Sequence, residues 1–216
     1  MDYVILGGGG HTKVIIDTLI MSGQPKPYGI IDKDIKKHNT LLFGIPVLGS
    51  DEILPDLCKK GVVSFIIGVG STFDNKVRIN LFELGLQNGL NPLTIIHPTS
   101  VCSQFSQIGK GCQILPLSIV NAGAKLGINV IVNSAVVVEH DCVIGNHVHI
   151  ATGTTLCSTV SVKSGVFIGA GTVIKQCCKI GKNATIGAGS VVRENIPANT
   201  IYAGVPAKFI RGKDEC

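Results

Sequence analysis

The chain of 216 residues has no tryptophan, three tyrosines, seven phenylalanines and two methionines. With so few bulky rings, a core must be filled by Ile, Val and Leu, and the β-branched pair favours strands. Charge is also sparse: Asp, Glu, Lys and Arg make up 15% of the residues against 45% hydrophobic, and the formal balance is only +5. That excess suits small anionic ligands. It is too weak and too scattered for a nucleic-acid partner, and no basic stretch with interleaved aromatics occurs. No apolar run approaches the roughly 18 residues of a membrane-spanning helix. The start, MDYVILGGGG, has neither a positive leader nor a cleavage site. These absences point to a soluble, cytoplasmic protein without membrane insertion.

The eight cysteines contain no CxxC pair. Cys58, Cys102, Cys157 and Cys216 stand alone and Cys177 adjoins Cys178, so neither a zinc knuckle nor a disulfide framework is expected.

What is present changes grammar near residue 92. Before it, apolar runs alternate with helical spacing. DYVILG, YGIID and VVSFIIGVG read as strands, and HTKVIIDTLIMSG and NKVRINLFELGLQNG as helices. SDEILPDLCKKG reads as a helix capped by Ser50, with Pro55 limiting its regular part. The alternation implies an α/β Rossmann-like domain over 1–92, a small parallel sheet with helices around it. After it, an aliphatic residue recurs every sixth position from Ile108 to Val192. The fourth residue after each is small or β-branched, and Cys112, Cys142 and Cys178 fall at such positions. This is the hexapeptide repeat of a parallel β-helix, over 93–216, with three hexads to a coil of about 18 residues.

Two features of the repeats carry possible chemistry. The stretch VVEHDCVIGNHVHIATG holds three of the six histidines. His140 stands two residues after inward Val138, so it faces out at a corner, where a lone histidine is ordinarily a solvated turn residue. Asp141 beside it would fix its tautomer. His147 reads as structural or solvated. The second feature is a column: HIATGT, FIGAGT and TIGAGS repeat at intervals of 18, aligning Thr152 with Ala170 and Ala188. Tight turns demand small residues, but such a strip also lets an extended ligand lie against backbone. In the first domain, ILGGGGHTKV follows a strand and opens a helix, as a phosphate-binding loop does. It lacks the Lys-Ser/Thr pair of a P-loop and the third glycine of a dinucleotide fingerprint, although Asp32 stands where a ribose-binding acid would.

The hexads, the closing AGVPAK and the GGGGHTKV start together resemble the hexapeptide acyltransferases that act on sialic acids and nucleotide-linked amino sugars. Within these, the chain is similar to UDP-4-amino-sugar N-acetyltransferases of the bacillosamine type. The resemblance implies a left-handed β-helix, a homotrimer and acetyl-CoA sites between subunits, with no metal. It implies His140 as general base with Asp141 beside it, where that family often has Glu. It places acetyl-CoA contacts at His149, Ala170 and Ala188, and Asn133 near the acceptor amine. Asn133 can equally be a ladder-forming turn residue. It maps substrate contacts onto Gly9, Gly10, His11, Asp32, Lys33 and Gly70, with Lys33 departing from a second Asp. The implied activity is N-acetylation of the 4-amino group of a UDP-linked sugar for surface-glycan synthesis. The alternatives are O-acetylation of a sialic acid and, further off, a γ-carbonic-anhydrase-like metal enzyme using His140, His147 and His149.

Overall fold

The computed structural model describes residues 2–71 and 73–213. Cys216 lies outside the described residues. Two compact units form: Met1–Gly70 with Lys76–Ile95, and Ser71–Asn75 with Ile96–Cys216.

In the first unit, β1 (Asp2–Leu6) leads into α1 (Gly10–Met21), then β2 (Gly29–Ile31). β3 (Leu41–Leu42) and β4 (Ile45–Gly49) follow, then α2 (Leu54–Lys59), β5 (Val62–Ile67), α3 (Lys76–Gln87) and β6 (Asn91–Pro92). The sheet order is β3-β4-β2-β1-β5-β6, and only β3 runs antiparallel to its neighbour. The continuous apolar runs of β1 and β5 are the mark of strands covered on both faces: Val4, Ile5, Leu6, Phe65, Ile66 and Ile67 are all buried. Gly85 of α3 sits where a side chain would strike the Phe65 ring, so α3 approaches β5 closely and Phe82 meets Phe65 edge-on at 5.6 Å.

Two connections depart from a regular strand–helix alternation. Between β2 and β4 the crossover carries no α-helix, only the short β3 and a 3-10 turn at Ile35–Lys37 in which the Asp34 carboxylate accepts the Lys36 N–H. The stretch beginning at Ser50 also breaks in two. A 3-10 turn (Asp51–Ile53) precedes the six-residue α2, and the Ser50 side chain caps nothing. Pro55 lies in the first turn of α2, the position where its missing N–H costs no bond.

In the second unit, two-residue strands recur with a parallel register offset of 18, as in Gln113↔Ile131, Ile131↔His149 and His149↔Phe167. They stack into three flat faces. The first contains Ile131–Val132, His149–Ile150 and Phe167–Ile168; the second Val137–Val138 and Thr155–Leu156; the third Val143–Ile144 and Ser161–Val162. The aliphatic column and its small partners four residues on fill the interior: Ile114, Val132, Ile150 and Ile168 with Cys112, Val130, Val148 and Val166 are at most 1% exposed. Val120, Val138, Leu156 and Ile174 complete the same cluster. None of the described cysteines is in a disulfide, and Cys142 is one of these interior fillers, its thiol pushed up to about 11 by burial. The helix closes on Thr200–Gly204, which pairs with Thr185–Ile186, and on an antiparallel strand Ala207–Gly212.

The first face differs from the others on its outer side. Its outward residues Ile131, His149, Phe167 and Thr185 are buried, whereas Val101 and Val173 of the second face and Val143 of the third are exposed. Ser71, Phe73 and Asn75 lie along this side. Ser71 Oγ lies 2.6 Å from His149 Nδ1, Asn75 Nδ2 donates to the carbonyls of His147 and Val166, and the Thr185 hydroxyl donates to the Phe73 carbonyl.

Candidate active site

Each coil turns three corners, and the corner between the second and third faces carries residues 139–141. The alternation that buries Val138 turns the next residues outward, and His140 and Asp141 have side chains 54% and 64% exposed. The ring Nδ1 lies 2.9 Å from Asp141 Oδ2. A carboxylate can only accept, so the proton of this hydrogen bond is on Nδ1, which leaves Nε2 as the basic nitrogen of the neutral ring. Glu139, half-buried on the other side, receives the His140 backbone N–H on Oε2 at 3.1 Å and the Asn121 side-chain amide on the same oxygen at 3.1 Å. Asn121 carried no signal in the sequence, being an ordinary turn residue of the preceding coil.

The corner between the first and second faces carries the small-residue column. Thr152, Ala170 and Ala188 are exposed, as are Gly153, Gly171 and Gly189. A Cβ built on any of these three glycines would point into open space. The column is therefore a smooth, exposed strip of small residues. Asn133 sits on this corner, its Oδ1 accepting the Ser134 N–H at 2.8 Å and its Nδ2 3.4 Å from His149 Nε2. His149 itself is 5% exposed, packed edge-on against Phe167. Its Nδ1 faces the Ser71 hydroxyl, a partner 78 residues away that no local pattern announces. Within one chain the structure thus brings together Asn133 and His149 beside the Ala170–Ala188 column. It leaves His140 and Asp141 on the next corner. His147 is a turn residue with φ of 57°, and its Nδ1 lies 2.9 Å from Asn129 Nδ2.

In the first unit, the candidate residues gather at the carboxyl ends of β1, β2 and β5. Gly9 caps α1 without a side chain, and neither it nor Gly10 has anything within 4 Å of a built Cβ, so the loop is open on its outer side. Gly70 lies beside the His11 ring. Thr12, which the sequence did not single out, pins the loop from inside by donating to the carbonyls of Gly7 and Gly68. Asp32 Oδ2 accepts the Gly8 N–H at 2.6 Å and Lys37 Nζ at 3.1 Å, and Oδ1 accepts the Asp34 N–H. Burial works against the charge of this carboxylate. The two backbone donors and Lys37 outweigh it and hold the carboxyl below its ordinary range. Lys33 projects to Asp51 at 3.7 Å and is largely exposed. A cavity of about 650 Å³ opens here, lined by Asp32, Lys33, Gly7, Asp51 and Val69 and by one side of α3. Gly9, Gly10, His11 and Gly70 lie outside its lining.

Among the described residues no group of three or more His, Cys, Asp or Glu could hold a metal ion, and no helix is long and apolar enough to cross a membrane.

A hexad-built β-helix with a smooth small-residue corner, next in the chain to an α/β sheet with a glycine-rich loop, is the architecture of a hexapeptide-repeat acyltransferase. Residues 2–84 match the PglD N-terminal domain, and residues 159–194 match the bacterial transferase hexapeptide family (six repeats). A GDP-perosamine N-acetyltransferase of Escherichia coli O157:H7 is 35% identical over 154 residues, which is 70% of this chain and 67% of that protein. The crystal structure of PerB from Caulobacter crescentus, in complex with CoA and GDP-perosamine, superposes with a TM-score of 0.91 at 32% identity, covering 98% of each chain. The acetyltransferase domain of PglB from Neisseria gonorrhoeae, in complex with acetyl coenzyme A, superposes with a TM-score of 0.86 at 30% identity, covering 97% of this chain and 98% of that one. The chain belongs to this family of acetyl-CoA-dependent nucleotide-amino-sugar N-acetyltransferases.

Proposed function

We propose that the protein transfers an acetyl group from acetyl-CoA to the amine of a nucleotide-linked amino sugar, with His140 as general base. Acetyl-CoA supplies an activated acyl carbon. The acceptor amine must attack it as a neutral nucleophile, so one proton has to leave as the new C–N bond forms and the C–S bond breaks. His140 Nε2 is the acceptor for that proton. Asp141 on Nδ1 sets the tautomer and offsets the positive charge that the ring acquires. The observation that carries this reading is the 2.9 Å His140–Asp141 pair standing at an exposed corner.

The remaining roles follow from placement. Ala170 and Ala188, with the glycines beside them, form the wall against which the pantetheine arm lies, and Asn133 stands at its head near the acceptor amine. His149, engaged with Ser71, borders the same column as the acetyl-CoA contact that the resemblance implies. In the domain over 1–92, Gly9, Gly10 and His11 with Asp32, Lys33 and Gly70 hold the nucleotide and sugar. The repeats over 93–216 carry the transfer. Because His140 and the column occupy different corners of one chain, the complete site forms where the His140 corner of one copy meets the Ala170–Ala188 corner of another, in a cytoplasmic homotrimer.

The resemblance read from the motifs implies a UDP carrier and a 4-amino group. The E. coli relative acts on GDP-perosamine, so GDP-linked and UDP-linked sugars stand first in the assay. Thiol release from acetyl-CoA is followed with UDP-, GDP- and dTDP-linked amino sugars and with free sialic acid. Turnover with a nucleotide sugar is expected, and turnover with sialic acid alone refutes the proposal. His140→Ala should lower kcat by roughly 10²–10⁴-fold, and near-normal turnover in that variant removes His140 as base. Equilibrium sedimentation should give three times the chain mass.

A further inference from the structure

We propose that Asn121 and Gly123, one coil before the 139–141 triplet, are positioning residues for His140, an inference that rests on His140 being the base. The triplet is held from below at both ends. At one end the Asn121 amide donates to Glu139 Oε2 at 3.1 Å, and that same oxygen receives the His140 backbone N–H. Asn121 is itself fixed, its Oδ1 accepting the Ala122 N–H at 3.2 Å. In the middle, the Asp141 N–H donates to the Ala122 carbonyl at 3.1 Å.

At the other end the contact is an absence. A Cβ on Gly123 would press within van der Waals distance of Asp141 Oδ1, the carboxylate oxygen that the His140 ring does not use, so the carboxylate would have to shift. Backbone conformation alone does not explain a glycine here. Gly123 has φ of 73°, but Thr159 and Cys177, at the same place in the next coils, hold 58° and 63°, and Ala135 holds 56° on another corner. This helix therefore places residues with side chains in its left-handed turn positions. What Gly123 alone supplies is room for the carboxylate to lie down against the preceding coil, with its second oxygen aimed at Nδ1. A side chain at 123 would lift Asp141 and carry the His140 ring with it.

The molecule contains its own control. Gly165, with φ of 75°, lies under the Asn183 side chain, whose Oδ1 a Cβ would press against in the same way. Gly165→Ala therefore imposes the same backbone strain and the same clash at a corner with no proposed chemistry. Steady-state kinetics and thermal midpoints are compared for Gly123→Ala, Gly165→Ala, Asn121→Ala and His140→Ala. A displacement of about an ångström in a reacting group costs on the order of 10²-fold, so Gly123→Ala should lose kcat on that scale. Its KM for acetyl-CoA and for the nucleotide sugar should stay within about twofold, the signature of a contribution made only in the transition state. Gly165→Ala should match its loss of thermal midpoint and keep its kcat. Asn121→Ala should lose about tenfold in kcat, and it carries the comparison if Gly123→Ala does not fold. Equal kcat in the two glycine variants, with Asn121→Ala unchanged, overturns the proposal. Because His140→Ala is measured alongside, an inactive His140→Ala with an unimpaired Gly123→Ala refutes the positioning role alone. An active His140→Ala refutes the base assignment beneath it.

Discussion

Replacing Asp141 by Asn separates the orientation of His140 from the stability of the fold. The substitution keeps the size of the side chain and removes its charge. Aspartate can only accept, so Nδ1 must carry the proton and Nε2 is left as a base. Asparagine can present its NH₂ group instead, which favours the opposite tautomer with the proton on Nε2. A hydrogen bond to a charged partner contributes about 1.5–3 kcal/mol. Both side chains are more than half exposed, so solvent screening reduces the ground-state contribution to about 0–1 kcal/mol. A change of that size moves the thermal midpoint of a chain this long by no more than about 2–4 °C. In the transition state the ring becomes an imidazolium in a site closed by bound substrates, and the fuller 1.5–3 kcal/mol applies, about 10- to 150-fold in kcat. The assay is thiol release with both substrates saturating, beside scanning calorimetry. The expected result is a kcat lower by one to two orders of magnitude with an almost unmoved midpoint. A kcat within about twofold of the parent refutes the orienting role, since 0.4 kcal/mol would then be roughly all the pair supplies. A midpoint that falls by much more than about 4 °C would show that the pair acts through the fold.

Three further outcomes follow from the geometry. Ser71→Ala removes the hydroxyl facing buried His149 and should cost about 1–3 kcal/mol, read as faster proteolytic cleavage within 71–75 and a lower urea midpoint, while Ser71→Thr retains most of both. Asp32→Asn tests a carboxyl held below its unfolded value of 3.8. Its contribution is fully present above that value and is lost as pH falls through the lower folded one, so the stability gap between parent and variant should be constant above about pH 5 and close below about pH 4. A gap that widens on acidification would reverse the sign of the argument. Ala188→Leu fills the exposed corner without touching the interior, and should raise KM for acetyl-CoA severalfold with an unchanged thermal midpoint. An unchanged KM would move the pantetheine arm off this column.

The repeats were legible because their constraint is local and periodic. Ile150 or Val138 is buried by its place in a hexad whatever lies elsewhere in the chain, so a period of six fixes inside, outside and corner together. The corner place of His140 follows from the same count, and its bond to Asp141 is between sequence neighbours. The first domain was less legible where elements are short. β3 has two residues and α2 six, too few for a period to register, and the 3-10 crossover after β2 carries no helix-length signal. Least legible were contacts between distant segments. Ser71 reaches His149, and Thr12 joins the carbonyls of Gly7 and Gly68, through single hydroxyls that leave no mark on composition or spacing.

Gly123 belongs to a third kind, in which the signal was visible but pointed elsewhere. A glycine at a β-helix corner reads as a concession to a left-handed turn, and most corners offer no reason to look further. Only its overlap with the Asp141 carboxylate, set beside Thr159 and Cys177 in the same turn position, shows that the turn tolerates side chains. The stacking that gives this fold its rigidity also means that each corner rests on the one a coil before it. A catalytic corner in a β-helix is therefore to be sought over two coils, the residues that face the substrate and those 18 positions earlier that set their height. For His140 those are Asn121, Ala122 and Gly123, and the comparison of Gly123→Ala with Gly165→Ala measures how much of the chemistry depends on that lower coil.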